Sequence, residues 1–261
     1  MSIQAASKLA RLSMEVNAPI AGITLSNPPL NVIDIPMMEE LAAALAEVEA
    51  QARISVIVFR GSGQSFSAGV DVGAHTPDKV SSMLEKFHAV IRALVATQKV
   101  TIAVVRGNCL GGGAELAMVC DLVYTSRDAK WGFPEIQLGC FPPIAVTGLA
   151  ALVGQKCASD LVLTGRTISG EHAGRIGLAN EAVASDQLEV VTQDAVDRLA
   201  ALSPAALAIA KKASYAWDSM HFDKGLARAE KIYLDELMRT EDAQEGIRAF
   251  LEKRNPRWTG R

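Results

Sequence analysis

Along residues 12–26 apolar and polar positions alternate, with Leu12, Met14 and Val16 first and Ile20, Ile23 and Leu25 after the Ala18-Pro19 break. That period predicts a β-hairpin. Asn27-Pro28-Pro29 closes it, and Pro36 opens a helix in which Met38, Leu41, Leu45 and Val48 recur at helical spacing. The uninterrupted run Val56-Ile57-Val58-Phe59, stopped by Gly61-Ser62-Gly63, predicts a strand covered on both faces. Val80, Met83, Leu84, Phe87, Val90, Ile91, Leu94 and Val95 then trace one face of a long helix. A second buried strand is expected over 100–105, a glycine turn over 107–113, a helix over 115–120 and a further strand over 122–125. Strand and helix alternating in this way predict an α/β fold with a parallel sheet. From about Val146 the chain turns Ala- and Leu-rich with helical periodicity. Ser203-Pro204 and Thr240-Glu241-Asp242 read as helix starts, and Asn255-Pro256 as the end of the last helix.

Composition narrows the class. A chain of 261 residues with 49% hydrophobic and 21% charged residues can bury a full core, and a formal charge of −3 offers no field for nucleic acid or an anionic membrane. Cys109, Cys120, Cys140 and Cys157 form no CxxC pair and the four histidines no HxxxH pattern, so neither a metal site nor a disulfide framework is expected. No apolar stretch reaches the roughly 18 residues of a membrane span, and residues 1–16 lack the apolar segment of a leader peptide. The expectation is a soluble protein of the reducing cytoplasm.

Candidate chemistry sits in two loops at the carboxyl ends of strands, where open α/β sheets place their ligands. The first is Ser65-Phe66-Ser67-Ala68-Gly69-Val70-Asp71 and the second Gly107-Asn108-Cys109-Leu110-Gly111-Gly112-Gly113. Three glycines opening a helix can aim free N–H groups at developing negative charge, or can serve only a tight turn and close packing. Neither loop spells GxxxxGK or an intact GxGxxG, and no GxSxG elbow is present, which argues against a nucleotide cradle and against serine hydrolysis. Glu115 lies just inside that helix among apolar neighbours, either stabilised by the helix dipole or desolvated into a proton-exchanging acid. Glu135, in Trp131-Gly132-Phe133-Pro134-Glu135-Ile136, is another lone acid in an apolar stretch. If the strand over 122–125 brings the two together, paired carboxyls beside oxyanion donors suggest proton transfer next to a carbonyl. Asp71, Asp121, His75 and His88 receive no catalytic role; the two histidines read as surface or packing residues.

These segments, with Pro134-Glu135-Ile136, Leu163-Thr164-Gly165 and Phe250-Leu251-Glu252-Lys253-Arg254 in the same order, resemble the crotonase, or enoyl-CoA hydratase/isomerase, superfamily over nearly the whole chain. The resemblance implies a crotonase-like spiral of ββα repeats over residues 1–200 and a helical trimerisation region over 201–261, assembled as a homotrimer or homohexamer. It implies an oxyanion hole from the N–H groups of Val70 and Gly112, coenzyme A contacts at Ala68, Asp71, Gly111 and Lys253, and two catalytic glutamates at Glu115 and Glu135. Glu115 would activate water and Glu135 would protonate carbon. The substrate would be an α,β-unsaturated acyl-CoA, with no metal and no cofactor beyond the coenzyme A of the thioester, and with neither nucleic acid nor membrane as partner. A double-bond isomerase, or a non-catalytic CoA- or RNA-binding scaffold, is the alternative on the same fold. In the acyl pocket, Phe141-Pro142-Pro143 replaces a glycine-rich phrase. Pro143 has no N–H to offer the nucleophilic water, and the phrase resembles the branch that hydrates cyclohexa-1,5-diene-1-carbonyl-CoA in aromatic breakdown.

Overall fold

Strands that are apolar on both faces need cover on both faces, and the chain supplies it. The computed structural model describes residues 10–215 and 219–260; residues 1–9, where no leader was expected, lie outside them. Strands β1 (Leu12–Asn17) and β2 (Ile20–Leu25) form the antiparallel hairpin, and β3 (Val56–Gly61) and β4 (Val100–Val105) follow in parallel. Ile57, Phe59, Ala103 and Val105 share a core with the helices α1 (Ile35–Glu49), α2 (Val80–Ala96) and α3 (Gly112–Met118). Val56, Val58, Ile102 and Val104 face the opposite way. Each such side chain contributes roughly 1.5–3 kcal/mol by leaving water. Asp34 fixes the start of α1 by accepting a hydrogen bond from Met37 N–H at 3.0 Å, with Pro36 in the first turn.

A second, small sheet stands at the carboxyl ends of the first. It is made of β5 (Asn108–Leu110), which follows β4 almost directly, β7 (Lys130–Gly132) and β8 (Thr167–Ser169), while β6 (Leu122–Ser126) joins the main sheet beside β4. Because β5 and β7 are parallel with Leu110 opposite Gly132, the chain after β7 is delivered beside the glycine turn. Gly111 N–H bonds Gly132 C=O at 2.9 Å and secures that delivery.

The remainder is mainly helical, as its periodicity predicts: α4 (Pro143–Val153), α5 (Gln155–Thr164), α6 (Gly170–Arg175), α7 (Leu188–Ala200), α8 (Pro204–Tyr215), α9 (Ser219–Asp235) and α10 (Glu241–Leu251). Leu188, Ala195 and Val196 of α7 cover the second face of the sheet. Three boundaries differ from expectation. The three-residue strands β8 and β9 (Glu181–Val183) lie within the stretch read as helical, too short to show an alternating period. Helix α3 starts at Gly112 and ends at Met118, since the glycines themselves form its first turn. Helix α10 stops at Leu251, where Lys253 turns left-handed with φ 54°, before Asn255-Pro256 is reached. Leu226, Tyr233, Met238 and Ile247 of the C-terminal helices enter the same core as Phe59 and Leu116. Asp121 is structural: its carboxylate meets Lys211 Nζ at 2.7 Å and Thr101 N–H at 2.7 Å, tying α8 to β4.

The loop after β3 hangs on one buried amide. Asn31, at φ 52°, donates from Nδ2 to Ser62 O (2.9 Å) and Ser65 O (2.8 Å) and accepts from Asn27 N–H (3.1 Å). Removing it strands two carbonyls and one N–H away from water. N31A should therefore lower unfolding free energy by about 2–4 kcal/mol, read from urea denaturation, whereas a surface control such as E47A should change it by less than about 0.5 kcal/mol.

Candidate active site

The two loops approach so closely that only glycine fits between them. Ser67 and Cys109 pair as an isolated parallel bridge, with Ser67 N–H on Asn108 O and Leu110 N–H on Ser67 O, both at 3.0 Å. A methyl group at Gly69, whose φ is +103°, would lie 2.9 Å from Leu110 O, and one at Gly111, φ +50°, 2.7 Å from Glu135 Oε1. Ile33 straddles Val70, donating to Gly69 O and accepting from Asp71 N–H, so the Val70 N–H is passed over. Gly112 opens α3, where the first N–H groups have no helical acceptor. Among the described residues neither Val70 N–H nor Gly112 N–H has a protein partner, and both residues line one cleft of about 380 Å³.

That cleft gathers most of the residues singled out in the sequence: Ala68, Val70, Gly111, Gly112, Glu115, Glu135, Phe141 and Pro143 all line it. Two do not. Asp71 is exposed and caps the short 3-10 turn Val72–His75 through a 3.0 Å bond from Gly73 N–H. Lys253 is exposed beyond α10, while its neighbour Arg254 reaches the cleft wall. His75, read as a surface or packing residue, lines the cleft, with Nδ1 3.1 Å from Asp71 O; burial lowers its pKa and favours the neutral ring. His88 is a packing residue, wholly buried and 2.6 Å from Glu230 Oε1. Tyr233 of α9 also lines the cleft, and nothing but its place on an amphipathic helix could have pointed to it.

The two carboxyls are unequal. Glu115, from α3, turns toward the start of α4, and its Oε1 accepts from Ile144 N–H at 2.9 Å and Ala145 N–H at 3.0 Å. Pro143 is the first residue of α4, so the missing proline N–H costs the helix nothing and the next two donors go to Glu115. Burial pushes the Glu115 carboxyl up to about 7, against the pull of those two donors. Glu135 sits on the 3-10 turn Pro134–Leu138, and its Oε2 is buried with no partner among the described residues. Burial first and the Glu115 charge second raise its pKa well above the ordinary range. The pair therefore holds a proton at neutral pH, with the anion favoured on Glu115 and the proton on Glu135. A carboxylate, a carboxylic acid and two free N–H groups around one cleft can move protons beside a polarised carbonyl. Among the described residues no cluster of three or more His, Cys, Asp or Glu side chains could hold a metal ion, and no helix is long and apolar enough to cross a membrane.

The family model for enoyl-CoA hydratase/isomerase matches residues 15–261. The chain is 34% identical over 256 residues to the cyclohexa-1,5-dienecarbonyl-CoA hydratase of Thauera aromatica, covering 98% of this chain and 99% of that one. It is also 34% identical to the 2,3-dehydroadipyl-CoA hydratase of Escherichia coli, covering 96% and 95%. The crystal structure of an enoyl-CoA hydratase from Mycobacterium avium subsp. paratuberculosis superposes with a TM-score of 0.87 at 25% identity, covering 97% of this chain and all of that one.

The raised carboxyls set a pH signature. Above 4.5 an unfolded chain has released these protons while the native chain still holds them, so the pair's contribution to stability falls as pH rises toward about 7. The stability difference between E135Q and the parent should shift in favour of the variant across that window, measured as urea midpoints from pH 4.5 to 7.5. A difference that stays constant would show the pair to be ordinary ionised carboxylates.

Proposed function

Because this chain belongs to the enoyl-CoA hydratase/isomerase family, we propose that it adds water reversibly across the α,β double bond of an acyl-CoA thioester, as a hydro-lyase. The observation that carries this reading is the unlike carboxyl pair facing two free main-chain N–H groups in one cleft. The thioester oxygen accepts from Val70 and Gly112 N–H, which draws electrons from the double bond and makes the β-carbon electrophilic. Glu115, the carboxylate, takes a proton from water as its oxygen bonds the β-carbon. The electron pair moves to the thioester oxygen, and Glu135, the acid, returns a proton to the α-carbon. The water's second hydrogen remains in the product hydroxyl, and proton return from Glu115 to Glu135 resets the site.

Coenzyme A runs out past the backbone of Ala68 and Gly111, with Asp71 at the rim and the exposed ammonium of Lys253 toward the nucleotide phosphates. No further cofactor is required. Phe141 and Pro143 bound the acyl group, and this rigid apolar wall suits a flat conjugated ring, such as the dienoyl thioester named for the Thauera relative. Four free thiols fit a reducing cytoplasm. Exposed Val146, Leu152 and Leu163 of α4 and α5 line a groove whose other wall is Gly225, Arg228 and Ile232 of α9, and we assign this face, with the C-terminal helices over 201–261, to assembly as a homotrimer or a dimer of trimers.

E115Q and E135Q should each lower kcat by about 10²–10⁴-fold while an acyl-CoA analogue still binds. Turnover is followed as loss of enoyl-thioester absorbance in water enriched in oxygen-18. Uptake of one labelled oxygen per turnover is expected; migration of the double bond without label would assign an isomerase instead, and a variant with near-parental kcat would lose its place in the mechanism.

A further inference from the structure

Apart from the Val70 and Gly112 N–H groups, two buried side-chain atoms of the cleft stand out among the described residues. Glu115 Oε1 is taken by Ile144 and Ala145 N–H, Gln137 Nε2 by Gly165 O at 3.0 Å, His75 Nδ1 by Asp71 O, and the Arg254 guanidinium by Glu245 and Glu252. Glu135 Oε2 and the Tyr233 hydroxyl are buried without a well-formed hydrogen bond among the described residues, and the one group the hydroxyl can donate to is the soft, weakly accepting Cys140 thiol, which leaves its oxygen lone pairs unmatched. Tyr233 is only 1% exposed, and its ring is fixed edge-on to Phe141, with centroids 5.1 Å apart and planes at 69°. A buried hydroxyl without a strong partner destabilises the fold, and phenylalanine would fill the same space without that cost. The hydroxyl is therefore out of place as core packing and well placed as a contact to something that enters the cleft.

We propose that Tyr233 is a positioning residue for the water that is added to the substrate: its hydroxyl holds one hydrogen of that water while Glu115 holds the other, leaving an oxygen lone pair free to face the β-carbon. The inference rests on the hydration reading. Main-chain N–H groups at the start of α4 do not orient that water by donating to its oxygen, because Pro143 has no N–H and the next two bind Glu115. Burial first, then the Cys140 thiol and last the Glu135 and Glu115 carboxyls raise the Tyr233 pKa, which keeps the phenol neutral in the cleft it shares with both acids. In the step itself Tyr233 gives up no proton. The water oxygen bonds the β-carbon, Glu115 receives one hydrogen as a proton, and the hydrogen held by Tyr233 stays on the product hydroxyl.

Y233F keeps the ring and deletes only the hydroxyl. Hydration of crotonyl-CoA and of cyclohexa-1,5-diene-1-carbonyl-CoA should show kcat reduced about 10- to 100-fold, as for loss of a hydrogen bond made to a reacting group. KM should stay within about twofold, and the thermal midpoint should be unchanged or higher, because an unsatisfied buried group has gone. A kcat within about twofold of the parent's would overturn the assignment. So would a loss of kcat that comes with a lowered thermal midpoint, since that is the mark of a packing residue. If the parent enzyme hydrates neither thioester, the hydration reading and the tyrosine assignment fall together; if the parent is active and the variant equally so, only the tyrosine assignment falls.

Discussion

Everything at the site depends on the backbone of one loop lying against the backbone of another. The segment after β3 and the segment after β4 meet through the Ser67–Cys109 bridge, and Gly69, Gly111, Gly112 and Gly113 leave no room there for a side chain. That approach turns the Val70 and Gly112 N–H groups into donors with no acceptor among the described residues, beside the carboxyl of Glu135. An unmatched N–H is a cost to the folded chain. Its retention at two neighbouring positions is intelligible if a ligand oxygen completes both.

The second constraint is unequal solvation of two like groups. Glu115 and Glu135 differ little in chemistry, yet one is given two main-chain donors by α4 while the other has an oxygen, Oε2, buried without a partner among the described residues. Two equally solvated carboxyls in one buried cleft would also retain a proton, but with no preference between them. In the proposed mechanism it is this asymmetry that makes Glu115 the base and Glu135 the acid before substrate arrives. Pro143 contributes by starting α4 where it does. The proline that appeared in the sequence to remove a donor from water instead begins the helix whose next two donors define the base.

Much of this was legible in the sequence, for physical reasons. Hairpin, buried strands and amphipathic helices follow from hydrophobic period, which reports burial directly, and the loops at the strand ends follow from glycine content and chain order. Glu115 and Glu135 stood out because an acid in an apolar stretch needs a reason to be there. The three-residue strands β8 and β9 escaped because a period cannot be seen in so short a run. Tyr233 escaped for a different reason: on α9 it occupies an ordinary core position, and only the folded chain brings its hydroxyl, with no stronger neighbour than the Cys140 thiol among the described residues, into the cleft formed by α3, α4 and the turn carrying Glu135. His75 likewise reads as a surface residue until the turn after Asp71 is seen folding over the cleft.

The central claim is that two main-chain N–H groups receive the thioester oxygen while the acids flank the acyl carbons. A crystal structure with a non-reactive acyl-CoA thioester tests it most directly. The account predicts the thioester oxygen within about 3.2 Å of both Val70 N and Gly112 N, with the α- and β-carbons between Glu135 and Glu115. A thioester oxygen bound by any other donor, or an acyl chain running away from the two carboxyls, would contradict it.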